Sequence, residues 1–181
     1  MTRTRAIVFD FDGLLMDTES TSFLSWQYEW SQWGLTLEVA SFFVNHGGDV
    51  TDDRYATLDE AVGLSLRLAV ASSSPRQWLT THLGRAGVLD TFDVLAAGDE
   101  VARHKPAPDV YQLALGRLSL SGAAAVAVED TAHGVAAARA AGMRCIAIPN
   151  PFVTPDRVSH ADLVLSSASE LPLADALRQL S

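Results

Sequence analysis

Short apolar runs recur along the chain, each ending on a turn or polar residue. Ala6-Ile7-Val8-Phe9 closes on Asp10, Leu66–Ala71 on Ser72, and Phe92–Ala97 on Gly98. Ala124–Val128 closes on Glu129, Arg144–Ile148 on Pro149, and Asp162–Leu165 on Ser166. Runs of this length, bounded by turn residues, predict buried strands. Between most of them the apolar spacing changes to three and four, which predicts helices. Trp78, Leu79, His82 and Leu83 carry that spacing in Pro75–Ala86, and Val110, Leu113, Ala114 and Leu118 carry it in Pro108–Leu118. Gly134–Ala141 is Ala-rich and stops at Gly142, and Leu173–Leu180 predicts a final helix. Strands alternating with helices imply βαβ units, so the expected fold class is α/β, a doubly wound and mostly parallel sheet.

One segment breaks the alternation. Thr18–Trp33 predicts a helix with Phe23, Trp26, Trp30 and Trp33 on a single stripe. Three tryptophans in eight residues suit stacking on a sugar or base. The plainer alternative is that they form the core of a small helical insertion, and that is the expectation adopted. Asn45–Asp49 reads as a turn, and Thr51–Gly63 as another helix leading into the second strand. A small helical insertion is therefore expected between the first two strands. The expected boundaries are 1–16 and 64–181 for the α/β core and 17–63 for the insert.

The chain has 181 residues, 48% of them hydrophobic, and a mean hydropathy of +0.13, which describes a globular domain. Its net charge of -9, from 22 acidic and 13 basic residues, argues against nucleic acid or an anionic membrane as partner. It does not oppose a phosphorylated metabolite, because a bound metal inverts the local field. Cys145 is the sole cysteine, so no internal disulfide is possible, and no Cys or His cluster offers a zinc site. The start does not read as a signal peptide and no run approaches a membrane span, so a cytoplasmic protein is expected. The sequence does not indicate an oligomeric state.

The chemistry collects where strands end. Asp10 and Asp12 follow the first run, Ser72 and Ser73 the second, and Glu129 and Asp130 a later one. Lys105, the only Lys among the 13 basic residues, lies on a loop just before a helix. In a parallel sheet these ends share one edge, so the groups converge there. Several carboxylates, a hydroxyl and one ammonium suit a hard cation such as Mg²⁺ together with a phosphoryl group. Each residue has a duller reading: Asp10-Phe11-Asp12-Gly13 as a surface turn, Ser72 as a helix cap, Glu129-Asp130-Thr131 as a cap for the next helix. His104 and His133 read as local structure rather than ligands.

Four segments resemble the motifs of the haloacid dehalogenase superfamily, phosphatase branch. They are Phe9-Asp10-Phe11-Asp12-Gly13-Leu14-Leu15-Met16-Asp17-Thr18-Glu19, Ala71-Ser72-Ser73-Ser74, Lys105-Pro106-Ala107-Pro108-Asp109-Val110-Tyr111 and Val128-Glu129-Asp130-Thr131-Ala132-His133-Gly134. The resemblance covers about residues 5–36 and 58–171, and the type is similar to β-phosphoglucomutases and small sugar-phosphate phosphatases. It implies Asp10 as nucleophile, forming an aspartyl-phosphate, and Asp12 as general acid/base. It implies Mg²⁺ held by the Asp10 side chain, the Asp12 carbonyl and Asp130, with Glu129 nearby, and phosphoryl oxygens bound by Ser72, Ser73 and Lys105. Dehalogenases of the superfamily lack the second Asp, and phosphonate-cleaving relatives use a cap Lys that is missing here. The insert would be the family's cap, shorter than usual by at least one helix. Mutases of this type carry a His where this chain has Ser22, which favours hydrolysis of a small phosphate monoester. The alternatives are a β-phosphoglucomutase and a non-catalytic phosphate-binding protein.

Overall fold

The structure, a computed structural model, describes residues 3–38, 56–150 and 153–181, with residues 19–22 and 56–57 described by their backbone alone. Strand β1 (Ala6–Phe9) leads through a loop to helix α1 (Glu19–Gln32). Helix α2 (Ala56–Gly63) precedes β2 (Arg67–Ala71), α3 (Arg76–Arg85) and β3 (Val94–Ala96). Then come α4 (Asp109–Leu118), β4 (Ala125–Glu129), α5 (Ala132–Ala140), β5 (Arg144–Ala147), β6 (Leu163–Val164) and α6 (Leu173–Gln179). The six strands form one sheet in the order β3-β2-β1-β4-β5-β6, and every pairing is parallel. The α/β reading of the sequence holds, and each predicted strand lies within a residue or two of its observed limits.

The two faces of the sheet differ because side chains alternate along each strand. One face carries Ile7, Phe9, Leu68, Val70, Val126, Val128 and Ile146. These large residues pack with Leu58 and Ala61 of α2, Leu79 and Leu83 of α3, and Leu173 and Ala176 of α6. The other face is Ala6, Val8, Ala69, Ala71, Ala96, Ala125, Ala127, Cys145 and Ala147. So small a surface is filled by the large side chains of α4, among them Tyr111, Leu115 and Leu118, and by the Ala-rich α5. Helix α2 thus packs on the sheet, although the sequence reading groups it with the insert.

The aromatic stripe is a correction. Phe23 is buried at 9% exposure, but Trp26 is 54% exposed, Trp30 38% and Trp33 81%. Spacing along a helix tells which residues share a face, not what covers that face. Among the described residues these tryptophans do not form the expected core. The predicted turn at Asn45–Asp49 and the start of the Thr51–Gly63 helix lie outside the described residues.

Candidate active site

Strand register brings the predicted residues together. Phe9 of β1 is level with Val70 of β2 on one side and Val128 of β4 on the other. Asp10, Ala71 and Glu129 therefore leave the sheet at one level, with Ser72 and Asp130 one residue beyond. Asp10 continues the ladder, its N–H donating to the Val128 carbonyl at 2.9 Å. The chain then turns sharply: Gly13, with φ of +81°, takes a conformation that side chains disfavour, and its N–H donates to the Met16 carbonyl at 2.8 Å. Asp12 is thereby turned toward the loop after β2.

Lys105 Nζ donates to Asp10 Oδ1 and, at 2.6 Å, to Glu129 Oε1. All three side chains are nearly or fully buried. Tyr111, buried on α4, donates its hydroxyl to the same Glu129 oxygen at 2.6 Å, and Lys105 Nζ lies 5.0 Å from the centre of its ring. The other Glu129 oxygen accepts from the N–H groups of Asp130 (3.2 Å) and Thr131 (3.4 Å) and from the Thr131 hydroxyl (3.3 Å). Thr131 also caps α5, accepting from the Gly134 N–H at 3.1 Å, so the capping reading of that segment holds for Thr131.

Carboxylate oxygens of Asp10, Glu129 and Asp130 lie within 4.8 Å of one another, and all three residues are buried. Burial pushes Asp10 and Asp130 well above the usual carboxylate range, and the neighbouring acids add to the rise. Lys105 opposes it at Asp10, as does the Asn150 amide at Asp130. Burial lowers the Lys105 ammonium, but Asp10 and Glu129 more than offset that and hold it charged. Asn150 Nδ2 donates to Asp130 Oδ2 at 2.9 Å, whereas Asp130 Oδ1 is buried with no hydrogen-bond partner. A buried, unpartnered carboxylate oxygen on a residue clustered with two other acids fits a hard cation with oxygen ligands. The donor set therefore could hold a metal.

Asp12 stands apart from that cluster. Its Oδ2 accepts from the hydroxyls of Ser72 (3.0 Å) and Ser74 (2.7 Å), and its Oδ1 from Trp78 Nε1 (3.2 Å). Ser72 is fully buried, and its oxygen also accepts the Ser74 N–H at 2.9 Å. Ser73 is exposed on the same loop. Sequence reasoning missed Ser74, Trp78, Tyr111 and Asn150. Ser74 and Tyr111 each stand in one of the four motif-like segments but without a role of their own.

Comparison with known proteins agrees with this geometry. The family described as haloacid dehalogenase-like hydrolase matches residues 45–148, a span that holds Ser72, Lys105, Glu129 and Asp130. The chain belongs to that family. YhcW of Bacillus subtilis (strain 168) is 30% identical over 215 residues, covering 98% of this chain and 98% of that protein. Because the aligned stretch is longer than the 181 residues here, YhcW holds residues that this chain lacks. Hexitol phosphatase B of Escherichia coli (strain K12) is 37% identical over 123 residues, or 65% of this chain and 55% of that protein. The crystal structure of CbbY from Rhodobacter sphaeroides in complex with phosphate superposes with a TM-score of 0.74 at 29% identity, covering 94% of this chain and 98% of that one.

Proposed function

We propose that the protein hydrolyses a small phosphate monoester, a sugar or polyol phosphate, through an aspartyl-phosphate on Asp10. The observation that carries this reading is the pairing of a buried Asp10–Lys105–Glu129 network with a second aspartate, Asp12, held on separate donors. A nucleophile and an acid/base group need different surroundings, and the two aspartates have them. The name of hexitol phosphatase B, the phosphate in the CbbY complex and a CbbY variant bound to xylulose bisphosphate support the substrate class.

In this reading an Asp10 oxygen attacks phosphorus while Lys105 neutralises charge on Asp10 and on the phosphoryl oxygens. Ser72 and Ser73 bind those oxygens beside the N-terminus of α3. Asp12 gives its proton to the departing alkoxide, then takes one from the water that cleaves the acyl phosphate. Asp10, Asp130 and the Asp12 carbonyl are the proposed holders of Mg²⁺. Glu129 lies beside them, its oxygens already accepting from Lys105, Tyr111 and the start of α5. When bound, the ion supplies the positive charge that lets a phosphate approach so many carboxylates. The segment from residue 17 toward α2 is the proposed cap over this edge. No helix of the described residues is long and apolar enough to cross a membrane.

The test is a screen of sugar and polyol phosphates for phosphate release, with and without Mg²⁺, on wild type and Asp10→Asn. Release that depends on Mg²⁺ and falls by on the order of 10³ or more in a folded Asp10→Asn variant supports the reading. Turnover that survives that substitution sinks it.

A further inference from the structure

Trp78 lies in the first turn of α3, and its indole N–H reaches Asp12 Oδ1 at 3.2 Å. The residue is 42% exposed, so burial alone does not dictate its conformation. His82, one turn later on the same helix face, packs against the indole with ring centres 4.1 Å apart and planes at 50°. The His82 ring in turn leans on Phe11, 6.4 Å away, and Phe11 is the buried residue between Asp10 and Asp12. A continuous path of ring contacts thus runs from the Asp10-Phe11-Asp12 loop to the indole that returns to Asp12.

We infer that Trp78 is a positioning residue for the acid/base step, holding the Asp12 carboxylate through its indole N–H with His82 as its buttress. The inference rests on the phosphatase reading above and adds to it a residue that neither the motifs nor the comparisons assign. Ser72 and Ser74 hold Asp12 by Oδ2 alone, on one side of the carboxylate. Trp78 supplies the contact on the other oxygen. With one oxygen held on each side, the carboxyl plane is set, and so is the direction in which a proton is delivered to the leaving oxygen. Small errors in such a direction cost rate rather than substrate affinity.

The test exploits the leaving group. An alkoxide leaving from a sugar or polyol phosphate needs a proton as it departs, whereas p-nitrophenolate does not. Trp78→Phe keeps an aromatic ring against His82 and removes the N–H. It is expected to lower kcat with an alkyl phosphate by about three- to tenfold, the range of one neutral hydrogen bond, with KM unchanged. With p-nitrophenyl phosphate, kcat/KM, which reports the transfer to Asp10 and not the later hydrolysis in which Asp12 also acts, stays near wild type, and Asp12→Asn shows the same selectivity in kcat/KM with a larger loss. Equal losses on both substrates, or none, overturn the positioning role. A second readout is independent of turnover. The Trp78 indole N–H resonance, assigned by its disappearance in Trp78→Phe, is expected to move in Asp12→Ala. An unmoved resonance overturns the contact itself. A wild type that hydrolyses neither ester while the resonance does move overturns the phosphatase reading and, with it, the catalytic meaning of the contact.

Discussion

Asn150 holds one oxygen of Asp130 and leaves the other bare. Its amide donates to Oδ2 at 2.9 Å, while Oδ1 is buried without a hydrogen-bond partner. Burying a carboxylate with half its acceptors unused is costly unless something else occupies them. Asn150 holds the Asp130 carboxyl by one oxygen, in a residue clustered with Asp10 and Glu129.

The first prediction follows from that geometry. Asn150→Ala is expected to raise the Mg²⁺ concentration needed for half-maximal activity by about 10- to 100-fold, as loss of a ligand-orienting partner does elsewhere. Activity at saturating Mg²⁺ returns toward wild type. Asp130→Ala is expected to lose activity at any Mg²⁺ concentration, and chelation with EDTA to silence the wild type. Titrating Mg²⁺ against phosphate release checks all three, and full activity in EDTA would remove the metal from the reading.

Residues at strand ends were legible in the sequence because a parallel sheet aligns them without further information. Asp10, Ser72, Glu129 and Asp130 each follow an apolar run, and register does the rest. Tyr111 was illegible for the opposite reason. Beside Val110 and Ala114 it reads as one more apolar contact, and only the fold shows its hydroxyl meeting Glu129. Asn150 lies between two prolines, where a turn explains it fully. Trp78 shares a helical stripe with Leu79, His82 and Leu83, but the two leucines face the core while Trp78 and His82 turn to the Asp12 loop. Periodicity told the helix apart from the loop and could not tell which side of it carries chemistry. The tryptophans of α1 show the same limit, since spacing alone supplies no partner surface.

Gly134 presses α5 against Glu129. A Cβ there would stand 1.8 Å from the Glu129 carboxyl carbon and 1.9 Å from both its oxygens. Alanine improves intrinsic helix propensity by up to about 1 kcal/mol. Overpacking a full, hydrogen-bonded site costs about 1–3 kcal/mol, so the clash wins. Gly134→Ala is expected to destabilise the protein in urea and to raise KM for phosphate esters as Lys105 loses its anchor. A variant as stable as wild type with unchanged KM would show that Glu129 has room the structure denies it.

Away from the site, Glu100 ties the loop after β3 to α3 and α4. Arg117 donates to its Oε1 at 2.8 Å, and Arg76 to its Oε2 at 3.0 Å. The Arg117 hydrogen bonds, helped by Arg76 and the Ala97 N–H, pull its carboxyl from the usual 4.5 down to about 2. A lowered folded pKa means that the native state favours the ionised form. Its stabilising contribution is complete above about pH 4.5 and drains away as pH falls toward 2. Wild type is therefore expected to exceed Glu100→Gln in urea midpoint at pH 7, with the gap narrowing below pH 4.5. Partial exposure keeps the effect modest. A gap that stays constant from pH 7 to pH 3 would mean that Glu100 contributes by shape rather than charge.

The cap proposed above, shorter than is usual for the family, sets the last expectation. YhcW aligns over 215 residues against 181 here, and α1 presents Trp26, Trp30 and Trp33 to solvent. A lid with fewer residues makes fewer contacts with the leaving group and excludes water less completely. Discrimination between substrates comes from such contacts, and one methylene in a closed pocket is worth about 10- to 200-fold. With such a cap, kcat/KM for several small sugar phosphates is expected to agree within about tenfold. Water reaching the aspartyl-phosphate releases free phosphate, and Ser22, where mutases of this type carry a His, removes a group that would favour transfer. Incubation with β-glucose 1-phosphate is therefore expected to yield glucose and phosphate in equal amounts, with little glucose 6-phosphate. Efficient interconversion with little free phosphate would show that so small a cap still shuts water out, and phosphoryl transfer would displace hydrolysis as the reaction of this site.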